Sequence, residues 1–169
     1  MDLHYIKLRT PIVEKFKKLW KYYLCQSFLA ALALFIIVLI LGKGKMVVIS
    51  AIGATAFIVF AMPTAVSAQT RNVIGGHLVG LASGTIFYFA ELPYFLGYPL
   101  VVGVAIFIMV ALDVEHSPAA GTALAVVINE VSPDVFVTIM ASAVILSQCR
   151  YYLRKCMKSS IILVSTYES

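Results

Sequence analysis

The sequence predicts an all-α membrane protein: a compact bundle of about six transmembrane segments, four long and the others short or broken, arranged as a 3+3 inverted repeat. Three observations predict it. The 169 residues are 62% hydrophobic and 12% charged, against roughly 25% charged in a soluble domain, and mean hydropathy is +0.97. Apolar runs of bilayer length recur along the chain, separated by turn residues. Of 13 lysines and arginines, only Lys43 and Lys45 fall on one side of a six-segment arrangement. The others share the opposite side, which the positive-inside rule makes cytoplasmic.

Residues 1–23 carry Lys7, Arg9, Lys15, Lys17, Lys18 and Lys21. Thr10-Pro11 is a helix start, and Ile12, Phe16, Leu19 and Tyr23 then share a face, which predicts an amphipathic helix lying on the cytoplasmic surface. A stem leading straight into the first span is the other reading. The bundle occupies 24–150, with spans at 24–41, 46–62, 72–90, 100–112, 119–128 and 135–149. The run that opens it is too long for a cleaved signal peptide. Gly42-Lys-Gly-Lys45, residues 63–71, 91–99 and 129–134 supply the turns, and 151–169 is a basic cytoplasmic tail. The 119–128 segment reaches only about 15 Å as a helix, and merging it differently with its neighbours leaves a four-helix count open.

Asp113-Val-Glu-His-Ser-Pro118 interrupts otherwise apolar sequence. Ionisable groups at membrane depth are costly, so this break is the candidate site. Pro118 predicts a new helix whose first amides, near Ala119, favour an anion. Ser50–Ala56 aligns with Ser117–Ala123, pairing Thr55 with Thr122. A second helix start near Gly53 and Ala54 would then meet the first close to the bilayer midplane, as in transporters built from inverted repeats. The predicted substrate-binding residues are Gly53, Ala54, Thr55, Arg71, Asn72, His77, His116, Ser117, Gly121 and Thr122. The glycines allow close approach, the threonines supply hydroxyls, and Arg71 or His77 supplies charge. His116 or His77 would couple proton movement to anion uptake, because histidine titrates near neutral pH.

Plainer readings stand beside these. Arg71 suits an ordinary topology charge, and His77 a core histidine satisfied by a neighbouring carbonyl. Gly76, Gly80 and Gly84 share one face of the third span, for packing within the bundle or for a homo-oligomer seam. Asp113, Glu115 and His116 lie too close together in sequence to complete a metal shell, so no metal and no cofactor is predicted. Cys25, Cys149 and Cys156 show no paired spacing. No serine or cysteine sits beside a base, so no enzymatic activity is predicted. The basic residues flank apolar segments, so the partner is the lipid bilayer and not nucleic acid.

Ala51-Ile-Gly-Ala-Thr-Ala56, Gln69-Thr-Arg-Asn-Val-Ile-Gly-Gly-His77 and His116-Ser-Pro-Ala-Ala-Gly-Thr-Ala-Leu124 resemble the three signature stretches of the HPP family of integral membrane proteins. The resemblance covers about residues 15–150, and its middle string is the most specific. Ser117 stands where the His-Pro-Pro signature has its first proline. The resemblance implies four transmembrane helices, against six segments counted from the residues. It also implies a transporter of a small anion, nitrite first, since plastid and cyanobacterial members are associated with nitrite transport. An anion channel and a non-transporting membrane scaffold are the alternatives. The expected location is the cell inner membrane, with both termini cytoplasmic.

Overall fold

The computed structural model describes residues 12–41, 45–129 and 132–167. Among these are six α-helices and no strand: α1 (Ile12–Leu41), α2 (Met46–Ala61), α3 (Thr70–Phe89), α4 (Tyr94–Ala111), α5 (Ser117–Asn129) and α6 (Pro133–Tyr167). A short 3-10 turn, Val66–Ala68, lies between α2 and α3. The count of six holds, and with it the break between α4 and α5. The Gly42-Lys-Gly turn, residues 1–11 and the end of the tail lie outside the described residues.

Local chemistry sets the helix ends. Pro63 pushes Met62 out of helical geometry, which ends α2. Pro133 opens α6, where its missing N–H costs nothing. The end of α4 is a Schellman turn: Val114 N–H reaches Met109 O at 2.9 Å and Asp113 N–H reaches Val110 O at 3.2 Å. Asp113 takes the left-handed position (φ 56°) that glycine usually fills. Val114 then folds back into one apolar cluster with Met109.

The basic N-terminal stretch is no separate interfacial helix: α1 runs without interruption from Ile12 to Leu41, as the stem reading has it. Past Cys149, α6 stays helical through Tyr167. Two stretches, Tyr23–Ile40 and Tyr94–Ala111, are long and apolar enough to cross a bilayer by themselves; α2 and α5 are shorter. Large apolar side chains such as Phe28, Phe35, Leu39, Ile86 and Phe107 cover the outside.

Three long-range bonds tie together turns expected on the same side. Lys45 Nζ donates to Asn129 O at 3.1 Å on one side. On the other, Arg71 pairs with Asp113 at 3.1 Å and Arg150 Nε donates to Pro63 O at 2.8 Å. The chain therefore reverses at every connection. The principal neighbours are α1 with α2 and α6, α4 with α5 and α3, α2 with α5 and α6, and α3 with α5 and α6. Exchanging α1–α3 for α4–α6 leaves this set of neighbours unchanged.

The tightest seam joins α3 to α5. A methyl group on Gly76 would stand 2.6 Å from His116 Cβ, and one on Gly84 would stand 2.6 Å from Ala123 O; on Gly80 it would strike Ala119 O. The glycine face therefore serves packing within one chain, and α5 leaves no room on it for a second copy. Backbone oxygens cannot turn aside as a flexible side chain does. Gly80→Ala and Gly84→Ala should each cost about 1–3 kcal/mol, read as a lower melting temperature in detergent. Gly103→Ala, with nothing within 4 Å, should be neutral or stabilising, since alanine is the better helix former by about 1 kcal/mol.

Candidate functional site

The start of α3 grips the break between α4 and α5 residue by residue. Arg71 Nη2 donates to Leu112 O at 2.9 Å while Nη1 pairs with Asp113. Asn72, buried, donates from Nδ2 to Glu115 O at 3.2 Å. Gly75 and Gly76 lie against Val114 and His116, and Gly80 lies against Ala119 and Thr122. The polar residues of this helix therefore hold a backbone that has left helical geometry and needs partners for its carbonyls.

That grip places His116 inside the protein, where it meets three other polar side chains. His77, His116, Thr55 and Thr122 are all 0–1% exposed. His116 Nδ1 lies 2.8 Å from Ser67 O, and His116 Nε2 lies 3.1 Å from Thr55 Oγ1. Thr55 Oγ1 is 2.9 Å from His77 Nε2, and His77 Nδ1 is 2.8 Å from Thr122 Oγ1. The two rings stand edge to face with centroids 5.1 Å apart.

One carbonyl determines where the protons sit. Ser67 O only accepts, so His116 carries its proton on Nδ1, and its Nε2 accepts when the ring is neutral. With both rings neutral, the Thr55 hydroxyl donates to that Nε2. Thr55 Oγ1 then accepts from His77 Nε2–H, which leaves His77 Nδ1 to accept from Thr122. The two histidines are opposite tautomers, and every bond runs in one direction from Thr122 to Ser67. Thr55 has a second acceptor in reach, Ala51 O at 3.1 Å.

A family model for the HPP transmembrane region matches residues 14–160. The chain belongs to that family. It is therefore an integral, multi-pass membrane protein. No curated protein and no solved structure matches it. The three HPP stretches are the elements that meet at the cluster: the first brings Thr55, the second His77, and the third His116 and Thr122.

Those four predicted residues converge; the other six do not. Gly53 packs against Leu34 of α1, and Ala54 and Ser117 are exposed. They border a surface groove of about 640 Å³, lined also by Phe57, Ile58 and Pro118. Gly121 lets α5 approach Ala51 of α2 at ordinary contact distance. Arg71, 61% exposed in its side chain, and Asn72 hold the break and do not reach the cluster. The pair of converging helix starts is also corrected. Helix α2 is continuous through Gly53–Thr55, and the Ala119 amide is taken by His116 O at 2.9 Å. The groups that meet in the cluster are imidazoles and hydroxyls. Thr55, His77 and Thr122 lie about five to seven residues from the near ends of their helices, roughly 8–11 Å in.

Sequence reasoning missed Ser67 O and Ala51 O, because a backbone acceptor leaves no mark in composition or spacing. Thr122→Val strands a buried ring nitrogen and should cost about 1–3 kcal/mol. Arg71→Gln removes an exposed pair worth about 1 kcal/mol or less. Thermal melting of the two purified variants should show the valine replacement as the more damaging.

Proposed function

We propose that this HPP protein is a carrier for a small inorganic anion, with nitrite the first choice. It acts without a cofactor or enzymatic step, in the inner membrane, with both termini cytoplasmic. The observation that carries the reading is the enclosed cluster of two histidines and two threonines at a helix break. A buried polar group is costly unless bonded, and four of them at membrane depth have no packing advantage over apolar side chains. Donors of this type, N–H and O–H with one titratable charge, suit a planar monovalent anion.

The carrier form of the reading draws support from closure. No side chain of the cluster is exposed, so an anion reaches it only when helices part. The seam between α2 and α5 is where that opening is placed, because the groove beside Ala54 and Ser117 thins it. The halves α1–α3 and α4–α6 are proposed to be an inverted repeat. Their interchangeable neighbours support this, and so do Thr55 and Thr122, aligned in sequence and bonded to the two nitrogens of one histidine. Such halves exchange conformations to open a site alternately to either side.

Uptake of nitrite into proteoliposomes tests the reading. Thr122→Val should lower the initial rate about three- to tenfold, the equivalent of one hydrogen bond, and Arg71→Gln should lower it less. Rates equal to protein-free vesicles for the unmodified chain would remove transport from consideration. An unchanged rate in Thr122→Val would remove the cluster from the mechanism.

A further inference from the structure

The hydrogen-bond directions carry a further step, which rests on the transport reading above. We propose that the anion moves together with one proton, and that the proton binds at His116 Nε2 while the Thr55 hydroxyl turns from that nitrogen to Ala51 O.

The valences of the cluster support this arrangement. In the neutral form Thr55 donates to His116 Nε2 and accepts from His77 Nε2–H. An incoming proton takes the lone pair of His116 Nε2, and the new N–H points at Thr55 Oγ1, 3.1 Å away. The hydroxyl proton must then leave that line, and Ala51 O waits at 3.1 Å on its own helix. Afterwards Thr55 Oγ1 accepts from both rings and donates once, the full capacity of a hydroxyl. No other bond changes: His116 Nδ1–H still meets Ser67 O, and His77 still accepts from Thr122. One proton has been added, one hydroxyl has rotated, and the cluster has gained one positive charge.

Thr55 is the one cluster hydroxyl with two acceptors in reach. His77 is also ill placed to be the receiving ring. Its free lone pair faces Thr122, and a charge there lies deeper between α3 and α5. Glu115 and Ser117, the chain neighbours of His116, are exposed, so a proton has the shorter route to His116.

The surroundings contain no fixed counter-charge for an imidazolium. From α3 the facing titratable group is His77, with Arg71 outside it and engaged with Asp113. From the break itself, Asp113 and Glu115 are exposed, and Glu115 offers its backbone carbonyl to Asn72. Among the described residues α5 carries no titratable side chain, Lys45 and Asp134 lie at the opposite ends of α2 and α6, and Arg150 of α6, on the near side, is a cation that donates to Pro63 O. A charge enclosed without a partner is costly, and a co-transported anion supplies that partner. Proton and anion therefore bind as a neutral pair.

Two measurements test this. The first is ¹⁵N imidazole NMR of the full chain in lipid bilayers, with His4→Gln to leave the two buried rings. At alkaline pH the spectrum should show one Nδ1–H ring and one Nε2–H ring. On acidification the Nδ1–H ring should become doubly protonated first. Identical tautomers, or first protonation of the Nε2–H ring, would overturn the proposal.

The second is accumulation of nitrate, whose conjugate acid is fully ionised and does not leak across lipid. An imposed pH gradient should concentrate it about tenfold per pH unit for one proton per anion, above protein-free vesicles. Thr55→Ser should keep this and Thr55→Val should lose it. Accumulation that follows membrane potential and ignores the pH gradient would sink proton coupling while leaving anion transport standing. A ring that titrates as described in a protein that moves no anion would leave the proton site and remove the transport reading.

Discussion

The contact between α3 and α5 governs the rest of this structure. Three glycines four residues apart let the backbone of α5 lie directly on α3, with Ala119 O and Ala123 O where methyl groups would otherwise stand. At that separation His77 reaches Thr122 across the seam and Gly76 makes room for His116. A helix pair held apart by ordinary side chains would place these groups too far apart for hydrogen bonds. In a bilayer, where lipid tails solvate leucine as well as protein does, close backbone approach is itself a source of association energy.

The same contact explains why the break between α4 and α5 does not fray. The break exposes backbone carbonyls that lipid cannot satisfy. Arg71 and Asn72, one turn below the glycines, reach the carbonyls of Leu112 and Glu115. The turn at Asp113 closes two bonds of its own. Arg71 thus spends its charge on the end of α4, where a cation also meets the negative end of the helix dipole. The polar groups beyond this clamp, two imidazoles and two hydroxyls, carry no fixed charge.

Much of this was legible in the residues. Six segments, the ends of α2 and α4, and the interruption before Pro118 follow from proline, hydropathy and the distribution of lysine and arginine. Four of the ten residues expected at the site meet there. The other six were chosen for what their side chains offer in isolation, and each is occupied elsewhere. Gly53 is occupied by Leu34, Gly121 by Ala51, Arg71 and Asn72 by the break, and Ala54 and Ser117 lie on the surface. The helix start expected near Gly53 failed because small residues permit an interruption without requiring one. Nothing in α2 removes a backbone donor as a proline does.

By itself the sequence determined that the chain enters a membrane, how often it turns, and which polar residues lie at membrane depth. These are properties of transfer from water to lipid and of local backbone sterics, and each is readable over a few residues. Tertiary structure decided that Thr55, His77, His116 and Thr122 form one bonded chain ending on Ser67 O, and that the Ala119 amide is taken by His116 O. Those depend on helix separation and on carbonyl positions contributed by distant parts of the chain. Hydrogen bonds are satisfied to within a few tenths of an ångström, and no pattern along a single strand of sequence specifies distances at that scale.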